Sequence, residues 1–318
     1  MTRLHVLLGA ATLFHLAPLA LRNRDLPPRR RVVLGALMAV GLLVTTSTLL
    51  VSLVLPETLR ARSLDELLML CDAALRSIVA QPAEHLPELV AAGALLLVVA
   101  RAGWSLILSG RRTRRAVVAG EPCARSPGGI PVVVLPLELP EAYSTRRRGG
   151  QIVLTQGLLS DLDRDERHAV LLHEEAHVLL RHHAMIRLVR ASECGVLGLP
   201  AGRWLRDGFE QAIEEEADEY VTKRAGDPLP LANAVAKAAL ASLEHGRGTL
   251  ALQGAGAVRR IERLLDGRPP PRWASAAGAA GLVALVSALV ASSTSAAFAV
   301  VAAGHHLLGI GVQTLCPV

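Results

Sequence analysis

The chain has 318 residues, of which 51% are hydrophobic and 3% aromatic, and its formal net charge is +6 at pH 7. This length allows one or two ordinary domains, and the positive mean hydropathy indicates that part of the chain lies outside water. The arginines cluster beside apolar runs, so membrane anchoring and attraction to anionic lipid explain the charge, and no direct nucleic-acid binding is expected.

Four apolar runs carry almost no charge, and each is long enough to cross a hydrocarbon core of about 30 Å as a helix. They are residues 4–21, 32–55, 89–108 and 276–302. Buried core helices usually carry a polar stripe, which these runs lack, so we predict four transmembrane helices in a mainly α protein. The first run could instead be a cleaved signal peptide, but the arginines that follow it favour a retained span.

Basic clusters at residues 22–31 and 111–115 indicate which side of the membrane the loops occupy. Because positively charged loops stay in the cytoplasm, we predict a multi-pass plasma-membrane protein whose N-terminus lies outside. Residues 1–109 would hold three spans, 110–272 a cytoplasmic domain, and 273–318 the fourth span and a short external tail.

The four cysteines show no C-x-x-C spacing, which argues against a zinc ribbon or a thioredoxin-like motif. On the predicted topology Cys71 and Cys316 lie outside, where a disulfide could join them. Cys123 and Cys194 lie inside and are expected to be reduced thiols.

The segment between the third and fourth spans begins with strand signals and continues as helices. Two short runs rich in β-branched residues, Val132–Leu135 and Ile152–Thr155, predict a small hairpin or meander. Asp163 and Glu166 have the spacing of a capping box, so a helix is predicted from Arg164 to about His182. Further helices are predicted at about residues 184–197, 209–224, 231–244 and 257–265.

The capped helix carries the sequence His173-Glu174-Glu175-Ala176-His177. Histidines four residues apart project from one helix face and can bind one metal ion, and Glu174 lies beside the position of a metal-bound water. This H-E-x-x-H arrangement is typical of zinc peptidases, in which zinc acidifies the water and the glutamate takes its proton. We therefore predict a zinc endopeptidase with Glu174 as the general base.

A catalytic zinc ion needs a third protein ligand and an open fourth position. Glu214 and Asp218 lie one helical turn apart further along the chain, so we predict Glu214 as the ligand and Asp218 as the partner that orients His173. An acidic cluster of this kind is more commonly a solvated helix face. Glu215 and Glu216 remain alternative ligands if the helix is rotated.

Three further polar residues could belong to the site. His182 and His183 could extend it, although a surface or interfacial role is the simpler expectation. Arg260 could stabilise an oxyanion, and packing or lipid contact is the alternative.

At these residues the chain resembles the membrane metallopeptidases of the BlaR/MecR antirepressor type. The similarity lies in residues 152–159, in Asp163 to His177, in the Glu214-x-x-x-Asp218 pair, in residues 260–265 and in the arrangement of the spans. The resemblance implies a gluzincin-like α+β zinc metalloprotease domain inserted between the third and fourth spans. It also implies cleavage of a cytoplasmic protein, typically a winged-helix repressor, with Ile152–Thr155 as the edge strand that holds the substrate extended.

Two alternatives to this reading stay open. The related Ste24/HtpX-like proteases, which act in membrane-protein quality control, share the motifs but carry a Pro-containing histidine motif where this chain has Gly254. A signalling scaffold with a metal site and no turnover is the other. The chain ends at Val318, whereas a penicillin-binding domain follows the fourth span in antibiotic-sensing BlaR/MecR members, so β-lactam sensing is not expected. The sequence predicts neither the oligomeric state nor the activating signal.

Overall fold

The computed structural model describes most of the chain between residues 16 and 267. The described ranges are 16–22, 26–54, 64–81, 86–115, 122–145, 149–195, 200–244 and 253–267, with isolated positions 13, 281 and 284. Most of the predicted first and fourth spans and Cys316 therefore lie outside the described residues. Cys123 and Cys194 are free thiols, as predicted.

Three long helices form the N-terminal part of the described chain. A 3-10 turn, Ala17–Arg22, precedes α1 (Pro28–Val54), α2 (Leu64–Ala80) and α3 (Leu86–Arg115). Among the described residues, only the window Pro28–Thr48 is long and apolar enough to be a candidate span, and 56% of it is buried inside the protein, as in a core helix. The apolar part of α3, Ala92–Leu108, is shorter. Helix α2 was not predicted.

A four-stranded sheet follows, in the order β1-β2-β4-β3. Its strands are β1 (Ala124–Arg125), β2 (Pro131–Leu135), β3 (Ala142–Thr145) and β4 (Gln151–Thr155). The predicted hairpin or meander of these two strands is wrong, because β2 pairs with β4 in parallel, while β3 runs antiparallel along the other side of β4. The two predicted strands are therefore neighbours without being joined by a tight turn.

The position of β4 also corrects the predicted substrate strand. Ile152–Thr155 is paired on both sides, so its backbone cannot accept an added strand. The edge strand next to β4 is β3, which was not predicted because Ala142–Thr145 is short and has no apolar run.

Helices make up the rest of the described fold. They are α4 (Gln156–Asp161), α5 (Arg164–Leu179), α6 (His182–Gly195), α7 (Pro200–Ala225), α8 (Leu229–Glu244) and α9 (Gln253–Asp266). Each helix predicted between Arg164 and Leu265 is present, but α5 ends three residues early and α7 begins nine residues before its predicted start near residue 209. The break after α5 contains Arg181, which has a positive φ of 59°.

Helix α1 packs directly on the helices that follow the sheet. Phe209 of α7 is fully buried in an apolar cluster with Leu21, Met38 and Leu42. Its ring lies so close to Gly35 of α1 that a side chain at position 35 would overlap it. The N-terminal part of the chain is therefore packed tightly against α7, which also carries the predicted third metal ligand.

Two arginines at the start of α1 contact acidic residues of α7. Arg31 has no exposed surface, and its guanidinium pairs with the buried carboxylate of Glu215 on α7. Arg29 lies beside Glu216, with 3.3 Å between the charged groups. Part of the basic cluster after the first apolar run is therefore paired with the acidic helix α7.

Candidate active site and metal centre

Helix α5 forms the base of the site. Both arms of the predicted capping box are present: the Asp163 carboxylate accepts from the amides of Asp165 and Glu166, and Glu166 accepts from the amide of Asp163, each at 2.9 Å. Ala169, Leu172 and Val221 of α7 share one buried apolar cluster. Apolar packing therefore holds α5 against α7.

The structure brings His173, His177 and Glu214 together. His173 Nε2 lies 3.2 Å from His177 Nε2 and 3.4 Å from Glu214 Oε2, and His177 Nε2 lies 3.7 Å from Glu214 Oε1. Ligand atoms about 2.1 Å from a tetrahedral zinc ion are about 3.4 Å apart. The three donor atoms thus have the chemistry and spacing for one ion.

The charges around these donors also favour a cation. Three carboxylates, those of Glu174, Glu214 and Asp218, surround the pair of histidines, and the guanidinium of Arg260 contacts the last two. A divalent ion would balance the remaining negative charge.

The pKa values of the two histidines differ because their neighbours differ. Burial lowers the pKa of His173, but the carboxylates of Asp218 and Glu214 outweigh it and raise the pKa to about 9. Burial and the adjacent His173 lower the pKa of His177 to about 3. Burial opposes ionisation of Glu214, but the two histidines and Arg260 outweigh it and hold its pKa below the usual range.

Asp218 lies behind His173, where the sequence predicted a partner. Its Oδ1 is 3.1 Å from His173 Nδ1, a close contact that is not aligned as a hydrogen bond. Arg260 of α9 binds Asp218 through two nitrogens, at 3.0 and 2.6 Å, and its third nitrogen lies 3.0 Å from Glu214. Because every guanidinium nitrogen faces a carboxylate, this geometry favours a positioning role for Arg260 over oxyanion contact.

Glu174 faces the edge strand β3. Burial raises the pKa of its carboxyl, and a hydrogen bond from Ser144 opposes that rise. Ser144 Oγ also lies 3.2 Å from His183 Nε2. Glu174, the predicted base, therefore lies between the histidine pair and the edge strand β3. His183 is half-buried and faces the same region.

Glu175, within the same motif, anchors the loop before β2. It is fully buried and accepts hydrogen bonds from Ser126 at 2.6 Å, the Gly128 amide at 2.5 Å and Tyr220 at 2.7 Å. A side chain at Gly128 would meet the Glu175 carboxylate at 2.6 Å. This role was not predicted, because Glu175 occupies a variable position of H-E-x-x-H, and the motif does not show whether an acid at that position is buried.

His182 corrects another expectation. It was predicted to have a surface or interfacial role, yet it is fully buried, with Nδ1 3.0 Å from His177 Nδ1. The reason is the left-handed turn at Arg181, which reverses the chain after α5 and directs α6 back against the site. The spacing of the histidines alone could not show this turn.

The alternative ligands Glu215 and Glu216 point away from the three donors. Glu215 accepts from Gln211 at 2.7 Å and pairs with Arg31 and Arg263. Glu216 faces His182. In this structure Glu214 is the member of the acidic run that faces His173 and His177.

Comparison with known proteins finds similarity over the segment that contains this site. Residues 125–240 match the family model described as Peptidase family M48. A protease HtpX homolog from Thermococcus sibiricus (strain DSM 12597 / MM 739) is 36% identical over 81 residues, which is 24% of this chain. The match spans 27% of the relative's own length. No solved structure matches the chain.

Both matches support the metallopeptidase family M48. The family model covers residues 125–240, from the end of β1 into α8, and leaves α1 and Arg260 outside the matched segment. Neither match is to the BlaR/MecR type, so that narrower assignment stays a prediction, while the HtpX-like alternative fits the matches as well or better.

Proposed function

We propose that the protein is a membrane-associated zinc endopeptidase that hydrolyses peptide bonds at the site on α5 and α7. The observation that carries the proposal is the cluster of His173, His177 and Glu214 with the Glu174 carboxylate beside it. The match to a peptidase family over the same residues supports it independently.

The roles of the residues follow from their positions. His173, His177 and Glu214 would hold a zinc ion, which when bound supplies Lewis acidity toward water and the peptide carbonyl. Glu174 would take the proton from the attacking water and pass it to the leaving amine. Its raised pKa brings it closer to neutral pH, which suits a group that must both accept and return a proton.

The edge strand β3 offers a place for an extended substrate. Its pairing with β4 leaves the other side of Ala142–Thr145 without a strand partner among the described residues. A peptide laid along this edge would pass Ser144, which contacts Glu174. We therefore propose β3, in place of Ile152–Thr155, as the strand that binds the substrate.

Two substrate classes fit different observations. The HtpX homolog and the M48 match favour an HtpX-like protease that acts on membrane proteins. The resemblance of residues 152–159 and 260–265 to the BlaR/MecR type favours a regulatory protease that cleaves a winged-helix repressor. In either case the candidate span in α1 supports a membrane location, and we retain the predicted multi-pass topology as part of the proposal.

Trapping with Glu174→Gln tests the function and separates the two classes. The variant should keep its zinc and lose proteolysis by about 100-fold or more, since a general base contributes 100- to 10,000-fold. One dominant soluble partner would favour the regulatory class, and many membrane fragments the HtpX-like class. Unchanged proteolysis would exclude the mechanism, and stoichiometric zinc without cleavage of any protein by wild type would favour the scaffold alternative.

A further inference from the structure

His182, at the start of α6, is buried behind the site, with both ring nitrogens in contact with polar groups. Its Nδ1 lies 3.0 Å from Nδ1 of His177, and its Nε2 lies 3.2 Å from Oε2 of Glu216. The rings of His177 and His182 meet edge to face, with centroids 4.9 Å apart. The two imidazoles and the carboxylate thus form a continuous chain of polar contacts.

One arrangement of protons satisfies this chain when His177 binds a cation. The Nε2 atom of His177 faces His173 and Glu214, so a cation would bind at that nitrogen and the proton of the neutral ring would lie on Nδ1. That N–H can donate only if Nδ1 of His182 accepts. His182 then carries its own proton on Nε2 and donates it to Glu216.

We propose that His182 is a positioning residue of the metal centre, which accepts the Nδ1 proton of His177 and thereby keeps Nε2 of His177 unprotonated and aimed at the ion. The inference rests on the proposed function, because it requires that His177 binds metal. A hydrogen bond to the second nitrogen of a ligand histidine fixes both its tautomer and its orientation.

The series of polar contacts continues beyond His182 to a residue of α1. Glu216 is 6% exposed, and its other oxygen, Oε1, lies 3.3 Å from Arg29 at the start of α1. His182 itself follows the left-handed residue Arg181, which brings it under His177. The two ligand histidines are thus supported differently: His173 lies directly against a carboxylate, while His177 reaches one through a second imidazole.

Competition between the full-length protein in detergent and a chelator of known zinc affinity tests the proposal. His182→Phe retains a ring of similar size but has no acceptor, and zinc affinity should fall about 10- to 100-fold. His182→Asn keeps an acceptor oxygen near the position of Nδ1 and should recover most of the affinity. His168→Asn removes an exposed histidine from the same region and should change nothing.

The tautomers give a readout that a purely structural residue would not affect. With ¹⁵N-labelled histidine, zinc-loaded wild type should show His177 protonated at Nδ1 and His182 at Nε2, and His182→Asn assigns the second signal. The wild-type spectrum shows which nitrogen of each histidine is protonated, so it tests the proposal even if His182→Phe does not fold.

Two results would overturn the proposal while leaving the metal site intact. One is zinc-loaded wild type with His182 protonated at Nδ1, and the other is folded His182→Phe with wild-type zinc affinity. Wild type that binds no zinc would instead refute the proposed function, and this inference with it.

Discussion

Helix α7 carries four acidic residues between positions 214 and 218, and they face two different environments. Glu214 and Asp218 face the histidines of α5, where negative charge exceeds positive. Glu215 and Glu216 face away from the proposed ion: Glu215 lies between two guanidinium groups, and Glu216 lies beside Arg29 and His182. These four acidic side chains lie close together in the sequence, yet they have different partners.

The difference shows what makes a carboxylate on α7 available to a metal. Glu215 already has enough positive charge around it, so its charge is compensated by protein groups alone. Glu214 shares the single guanidinium of Arg260 with Asp218 and otherwise faces imidazole nitrogens, which can be lone-pair donors. We expect mutations on the first face to change stability and mutations on the second to change metal binding.

The largest effect on metal binding is expected for Glu214→Gln. Loss of a direct ligand should lower zinc affinity by more than the 10- to 100-fold typical of an outer-shell partner, with proteolysis lost in parallel. Chelator competition measures the affinity. Glu219→Gln is the matched control on the same helix, since Glu219 pairs with the exposed Lys223. Equal affinities for Glu214→Gln and Glu219→Gln would remove Glu214 from the site.

On the opposite face, Arg31→Met should lower stability while leaving zinc affinity close to wild type. It removes a partner from the buried carboxylate of Glu215, and breaking a buried ion pair typically costs about 3–5 kcal/mol. Arg263 and Gln211 remain as partners, so we expect the lower end, about 3 kcal/mol.

Thermal unfolding of Arg31→Met in the presence of chelator measures this effect without a contribution from metal. Arg30→Met, one residue away on the exposed side of α1, is the control and should unfold close to the wild-type temperature. A loss of zinc affinity as large as that of Glu214→Gln would show that the two faces of α7 are not separate.

The smallest effect is expected far from both faces, at the start of α5. Asp163→Ala removes the capping box and should cost about 1 kcal/mol of stability, with zinc affinity unchanged. Denaturant unfolding of the chelated protein provides the test. A marked fall in zinc affinity would mean that the end of α5 transmits strain to His173.

Local signals in the sequence predicted the parts of the site that lie on single helices. The spacing of His173 and His177 fixes one helix face, and Asp163 with Glu166 marks the start of that helix, as the structure bears out. The pairing of Asp218 with His173 was also predicted, because a ligand histidine usually has a carboxylate behind it.

What the sequence could not predict depends on turns and on contacts between distant segments. The burial of His182 follows from the positive φ at Arg181, which no glycine or asparagine marks. The partner of Arg31 lies 184 positions away along the chain. The central position of β4 depends on β3, whose four residues carry little apolar character. None of these features leaves a periodic pattern.

The central claim is that His173, His177 and Glu214 bind one zinc ion. X-ray absorption at the zinc edge of the purified full-length protein tests it most directly. We predict one zinc ion per chain with two imidazole nitrogens and carboxylate or water oxygen at about 2.0–2.2 Å and no sulfur. Glu174→Gln should retain this first shell, and Glu214→Gln should lose the ion. A zinc-free wild type, or a spectrum with sulfur ligands, would contradict the account.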